Sequence, residues 1–144
     1  MQIDLGIDFE TAEKEVAESR KPVAIGDYSI QVTDIKPGVG GESSKNPGRP
    51  LLNWELSIIG HPDYTGKKLF YNTSLPWADP SNGNRLLTSG LNFLTDLTKA
   101  LGHPWAGRAI QTEQYIGLTC HVTVGHTINK KTGEPQAVVD KVYA

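Results

Sequence analysis

Three stretches of this chain alternate apolar and polar residues with a period of two, and that alternation restricts the fold to one built on half-buried β-strands. In VAIGDYSIQVTDI, Tyr28, Ile30 and Val32 share one face, with Ser29, Gln31 and Thr33 on the other. In LLNWELSIIG, Leu52, Trp54, Leu56 and Ile58 oppose Asn53, Glu55 and Ser57. In KKLFYNTSL, Leu69, Tyr71, Thr73 and Leu75 oppose Lys68, Phe70, Asn72 and Ser74. The turn HPDYTG, proline near its start and Gly66 at its end, reverses the chain between the second and third runs. GLTCHVTVGHTI and AVVDKVYA read as two further strands, joined by a turn on Lys131, Thr132 and Gly133.

Between the third and fourth strands the period changes to 3.6. Over 84–102, Leu87, Leu91, Leu94, Thr98 and Leu101 recur at helical spacing, with Leu97 widening the stripe and Gly102 at the position of a left-handed cap. Ser81, Asn82 or Asn84 is placed to cap its start, and Gly90 falls inside it at a cost of roughly 1 kcal/mol relative to alanine. Residues 76–83 and the stretch after the helix read as loops. Residues 8–19 form a short predicted helix with a thin stripe of Phe9, Ala12 and Val16.

The first two strands flank PGVGGESSKNPGRP, residues 37–50, the first ending near Ile35 and the second starting near Leu51. This loop has little to bury and carries Lys45 and Arg49, so the expectation is a mobile basic arm. A second basic turn, NKKTGEP, joins the last two strands. Together the two loops predict a polyanion clamp.

The net charge of −2 is uneven. Residues 1–18 carry −5 and the remainder +3, an asymmetry that bears on partners rather than on fold. The acidic segment either folds over a basic groove, recruits a basic partner, or docks on the barrel as an ordinary helix. With 144 residues the expectation is one core: an acidic segment at 1–21 and one domain at 22–144. No apolar run approaches the roughly 20 residues of a membrane span, and the acidic start lacks the pattern of a secretion signal. Cys120 is alone and in phase with Leu118, Val122 and Val124, as a buried thiol would be.

Three strands, a helix and two strands are the element order of the OB-fold, a partly open five-stranded barrel. Its ligand face lies on strands two and three, flanked by the one-to-two and four-to-five loops. The predicted class is therefore mainly β: a five-stranded OB-fold barrel with a helix between strands three and four and a helical segment before strand one. Lys36, Lys45, Arg49, Lys67, Lys68, Lys130, Lys131 and Lys141 fall on or beside that cleft. Lys14, Arg20, Lys21, Arg85, Lys99 and Arg108 read as scattered elsewhere.

GDYSIQVTDIKP, the polar loop, LLNWELSIIG with HPDYTGKKLFYNTSL, the leucine-rich helix and the closing hairpin resemble small phage-encoded single-stranded-DNA-binding proteins with an OB-fold. The resemblance covers about residues 22–144 and is most specific from the second strand through YTGKKLFYN. It implies sequence-independent protection of single-stranded DNA in phage-type replication or recombination, in the host cytoplasm, with replication or recombination proteins as partners. Many such proteins end in an acidic tail, whereas this chain ends in DKVYA and carries its acids at the start.

A single-strand binder needs cations for phosphates and aromatic faces for bases. The candidate binding residues are Lys36, Lys45, Arg49, Lys67, Lys68, Phe70, Tyr71, Trp77, Lys130 and Lys131. Phe70 and Tyr71 are adjacent in a strand and point to opposite faces. Phase puts Phe70 outside with Lys68 and Asn72; the alternative is Phe70 under the helix with Tyr71 half exposed. Trp54 shares its phase with the core, Trp77 is a loop stacker or a plug of the barrel end, and Trp105 covers the helix terminus. Tyr143 stacks beside the last strand or completes the core. His61, His103, His121 and His126 lack the spacing of a metal site, and no nucleophile elbow, P-loop or carboxylate pair is present. The expectation is a non-enzyme without metal or cofactor. The rival readings are a virion structural or adaptor β-barrel that binds another protein, and a carbohydrate-binding or hydrolytic module using His61 and Asp63. Barrel edges also pair between subunits, which leaves a homodimer open.

Overall fold

The structure is a computed structural model that describes residues 1–42 and 45–144, without the side chains of 16–20 and 82. It is mainly β, with two α-helices among the described residues. One antiparallel sheet has the order β3-β2-β1-β6-β7, built from β1 (Gly26–Val39), β2 (Pro50–Ile59), β3 (Lys68–Ser74), β6 (Thr119–Ile128) and β7 (Pro135–Tyr143). A two-stranded ribbon of β4 (Trp77–Asp79) and β5 (Arg85–Leu87) stands apart from it. The edge strands β3 and β7 approach one another without forming a ladder, so the sheet curls but does not close.

The strand β1 serves both halves of the sheet, pairing β6 through Gly26–Gln31 and β2 along most of its length. Its ladder slips between Val32 and Asp34, a bulge at Thr33 that bends the strand and adds twist. The inward phases predicted from alternation form the core: Ile30, Val32, Trp54, Leu56, Ile58, Leu69, Val122 and Val124 are all buried. Trp54 donates its indole N–H to Thr73 Oγ1 at 2.8 Å and meets Tyr115 edge to face, so its one polar atom is satisfied inside the core. The helix α2 (Leu91–Ala100) adds Leu94, Leu97 and Thr98 to the same core.

Several boundaries differ from the sequence expectation. The first strand does not end near Ile35 but runs to Val39, because its partner β2 continues the ladder to the pair Val39 and Pro50. The predicted helix over 84–102 is confined to Leu91–Ala100. Asn84 (φ 60°) and Gly90 (φ 80°) both adopt left-handed backbone, which a right-handed helix cannot pass through, and Leu87 instead pairs with Trp77 across the ribbon. Gly90 is thus the N-cap rather than an interior residue. At the other end Gly102 (φ 80°) donates to Lys99 O and His103 N to Thr98 O, the paired bonds of a Schellman cap.

The first helix, α1 (Phe9–Arg20), is capped by Asp8, whose Oδ1 accepts from Thr11 N at 2.8 Å; side-chain and backbone hydrogen bonds from Thr11 lower the Asp8 pKa. Phe9 is 79% exposed and Ala12 half-buried, while the Val16 side chain of the expected stripe lies outside the description. No helix among the described residues is long and apolar enough to cross a membrane.

Candidate nucleic-acid interface

Cross-strand pairing assigns the outward side chains of β1, β2 and β3 to common rows. One row holds Gln31, Ser57 and Lys68, the next Asp34, Glu55 and Phe70, and the third Lys36, Asn53 and Asn72. Phe70 is 67% exposed in the middle of this face, as its phase predicts. Lys68 lies 3.9 Å from Glu55, and Lys36 lies 3.6 Å from Asp34. Each of these two lysines therefore has a carboxylate beside it that offsets its charge. Glu55 is further fixed by Thr33, whose hydroxyl donates to Oε2 at 2.7 Å.

Beside this face, the unpaired edges of β3 and β7 border a groove of about 410 Å³. Lys67, Lys68 and Phe70 line one wall, Pro135 and Gln136 the other, and Lys21 sits where the segment before β1 enters. Its charged lining is all lysine, among the described residues. Lys130 and Lys131 stand exposed on the hairpin that leads into Pro135. That hairpin is held by Asn129, which pairs with Glu134 and accepts from Lys131 N at 2.9 Å through its side chain. Sequence reading placed Lys21 away from the cleft. Nothing local signals its position, because it depends on the pre-strand segment crossing the seam, where Val23 is buried and its carbonyl meets His126 Nε2 at 2.6 Å.

The loop between β1 and β2 lies at the opposite end of the face and is shorter than expected, since residues 37–39 are strand. Its base is bonded: Gly40 N donates to Arg49 O and Gly48 N to Gly40 O. Lys45 is exposed. Arg49 is the main correction to the candidate set. It is 5% exposed, and its guanidinium donates from Nε to Leu75 O at 3.0 Å and from the two terminal nitrogens to Ser89 Oγ at 3.0 Å and Ser89 O at 2.6 Å. It ties the start of β2 to the segments flanking the ribbon and is not presented to a polyanion. Trp77 is half-buried in β4, with Gly48 (φ 82°) beside it, 3.8 Å from where a Cβ would stand. It covers the loop base more than it offers a free ring.

Tyr71 is the second correction. It lies on the inner phase, half-buried, edge to face with Phe93, and burial first and Asp96 second push its pKa up to about 12. A ring held under α2 does not present a face for base stacking. Burial likewise pushes the Cys120 thiol up to about 11, which leaves it a poor nucleophile. His61 Nδ1 accepts from the backbone N–H of Asp63 and Tyr64, and the ring stacks on Tyr64, so this histidine is committed to the turn. Among the described residues no group of three His, Cys, Asp or Glu side chains is placed to hold a metal ion. No protein-family model matches the chain, and no curated protein matches it.

Proposed function

We propose that this chain is a single-stranded-DNA-binding protein with an OB-fold, covering exposed strand without sequence readout during phage-type replication or recombination. The observation that carries the reading is the lysine-lined groove of about 410 Å³ with exposed Phe70 on its wall. Cations and an open aromatic face in one cleft are the two chemical requirements of single-strand binding. The strand order β3-β2-β1-β6-β7, with the helix before β6, supports an OB barrel whose seam lies between β3 and β7. Under this reading Lys21, Lys67, Lys68, Lys130 and Lys131 neutralise phosphates, Phe70 stacks a base, and Asn53 and Asn72 offer amides along the track. The acids paired to Lys36 and Lys68 keep the resting face near neutrality, so binding exchanges carboxylate for phosphate. The test is a salt titration of a labelled oligo(dT) against a duplex of equal length. The expected result is tighter binding to oligo(dT) and a steep fall with salt. Equal affinity for both, or binding indifferent to salt, removes the proposal.

A further inference from the structure

The antiparallel registers carry the outward phase of β1 onward across β6 and β7. Ser29 on β1 stands opposite His121 on β6, and His121 opposite Tyr143 on β7, so the three form one cross-strand row. The next row on the same face holds Asp27, Thr123 and Lys141. In the other direction Gln31 and Ser57 join this face to Lys68, two residues from Phe70 on β3. His121 is exposed, and its ring stacks on Tyr143 with centroids 5.4 Å apart and planes inclined by 25°. Polar partners fix both rings. His121 Nδ1 lies 3.0 Å from the Ser29 hydroxyl. Desolvation, then the charge and hydrogen bond of the Asp27 carboxylate, raises the Tyr143 pKa, and Asp27 also accepts from Thr123 Oγ1 at 2.6 Å.

Aromatic residues directly opposite one another stabilise any sheet. This pair differs in its surroundings: exposed Lys141 lies two residues before Tyr143 on the same face, and one continuous outward surface leads to Phe70. Rings already stacked and hydrogen-bonded lose little freedom when a third ring is laid on them. We infer that His121 and Tyr143 are a second base-stacking platform for single-stranded nucleic acid, with Lys141 taking the phosphate beside the stacked base. The inference rests on the single-strand reading and extends its track. A strand held at Phe70 crosses β2 and β1 diagonally to reach the pair. Three strand spacings, and the length of β1 from Asp34 to Ser29, separate the two platforms, roughly 20 Å over the sheet surface.

The experiment compares oligo(dT) of about 4 and about 16 nucleotides, the ends of the range covered by one OB-fold, on the full chain and on His121→Ala and Tyr143→Leu. The short strand is held by the groove and Phe70, and only the long one also reaches the pair. Both variants should bind the short strand as wild type does and the long strand about 5- to 150-fold more weakly, the effect of losing one stack. Phe70→Ala should weaken both strands. His121 is exposed, so its removal keeps the fold, which circular dichroism checks. Ultraviolet cross-linking of the wild type, with 5-iodouracil at successive positions of the long strand, should tag His121 or Tyr143 from positions distant from those that tag Phe70. Long-strand affinity at the wild-type value in both variants, or adducts confined to Phe70, overturns the inference: the pair then only stiffens its hairpin, which a lowered melting temperature shows, or meets a protein. That result leaves the groove reading standing, provided that wild type binds both strands and Phe70→Ala weakens them. A wild type that binds neither strand removes both.

Discussion

Replacing Arg49 by alanine separates its structural role from the ligand role that its loop position implies. The guanidinium is 5% exposed and makes three hydrogen bonds, to Leu75 O, Ser89 Oγ and Ser89 O. Removing it leaves two main-chain carbonyls short of a donor, each worth about 1–3 kcal/mol when left unsatisfied. Water entering the vacated volume recovers part of this, so the expected loss is about 3 kcal/mol, a large share of the roughly 5–15 kcal/mol that holds a domain together. At about 2–4 °C per kcal/mol for a chain of this size, the melting temperature should fall by about 6–12 °C. Arg49→Lys should recover only part, since an ammonium cannot span acceptors on two segments. Urea and thermal unfolding by circular dichroism measure the loss, and oligo(dT) affinity per folded molecule should stay at the wild-type value. A variant with full stability and weakened DNA binding would refute this reasoning and return Arg49 to the phosphate-binding set.

Three further outcomes are expected. Phe70→Ala should weaken oligo(dT) binding by about 1–3 kcal/mol with little change in melting temperature, because the ring is exposed; an unchanged affinity places the stacking surface elsewhere. Lys67→Ala and Lys68→Ala should each lower the salt slope by somewhat under about 1, and a slope unaltered in both moves the phosphate track off the groove. At alkaline pH the folded chain holds protons on Cys120 and Tyr71, to about 11 and about 12, that the unfolded chain releases near their ordinary values of 9.0 and 10.0. Stability should therefore fall as pH rises from about 9 to about 12 and then level off. Denaturant titrations at fixed pH, with Tyr71→Phe and Cys120→Ala flattening the slope, check this.

The five-stranded sheet was legible because each strand buries one face and so writes period two into its sequence; even the outward placement of Phe70 and the burial of Trp54 follow from phase. The helix was read too long because Leu87 keeps the 3.6 spacing by coincidence, while the left-handed backbone at Asn84 and Gly90 is a property of turns that spacing does not encode. Arg49 was misread for a different reason. A cation among glycines and prolines looks solvated, and the acceptors that bury it belong to residues 75 and 89, contacts that only the assembled fold creates. Lys21 was missed on the same ground, since its membership of the groove depends on how the chain enters β1. Local pattern thus marks which faces are wet, and long-range contact decides which cations border the groove.

The hairpin of β6 and β7 outruns the sheet that supports it. Pairing of β6 with β1 stops at Val124, whereas its pairing with β7 continues through Gly125 to Ile128. Beyond Val124 about four residue pairs, roughly 13 Å of ribbon, run past the β1 ladder, and near their root His126 Nε2 meets the Val23 carbonyl while Gly125 is buried and Ala137 packs against the core. Lys130 and Lys131 therefore stand at the tip of a ribbon anchored at its base by the core and by the segment before β1. Under the proposed reading those two lysines meet a bound strand from the end of this ribbon, so stiffening its root, rather than altering any contact to the strand, would change how fast the strand is released.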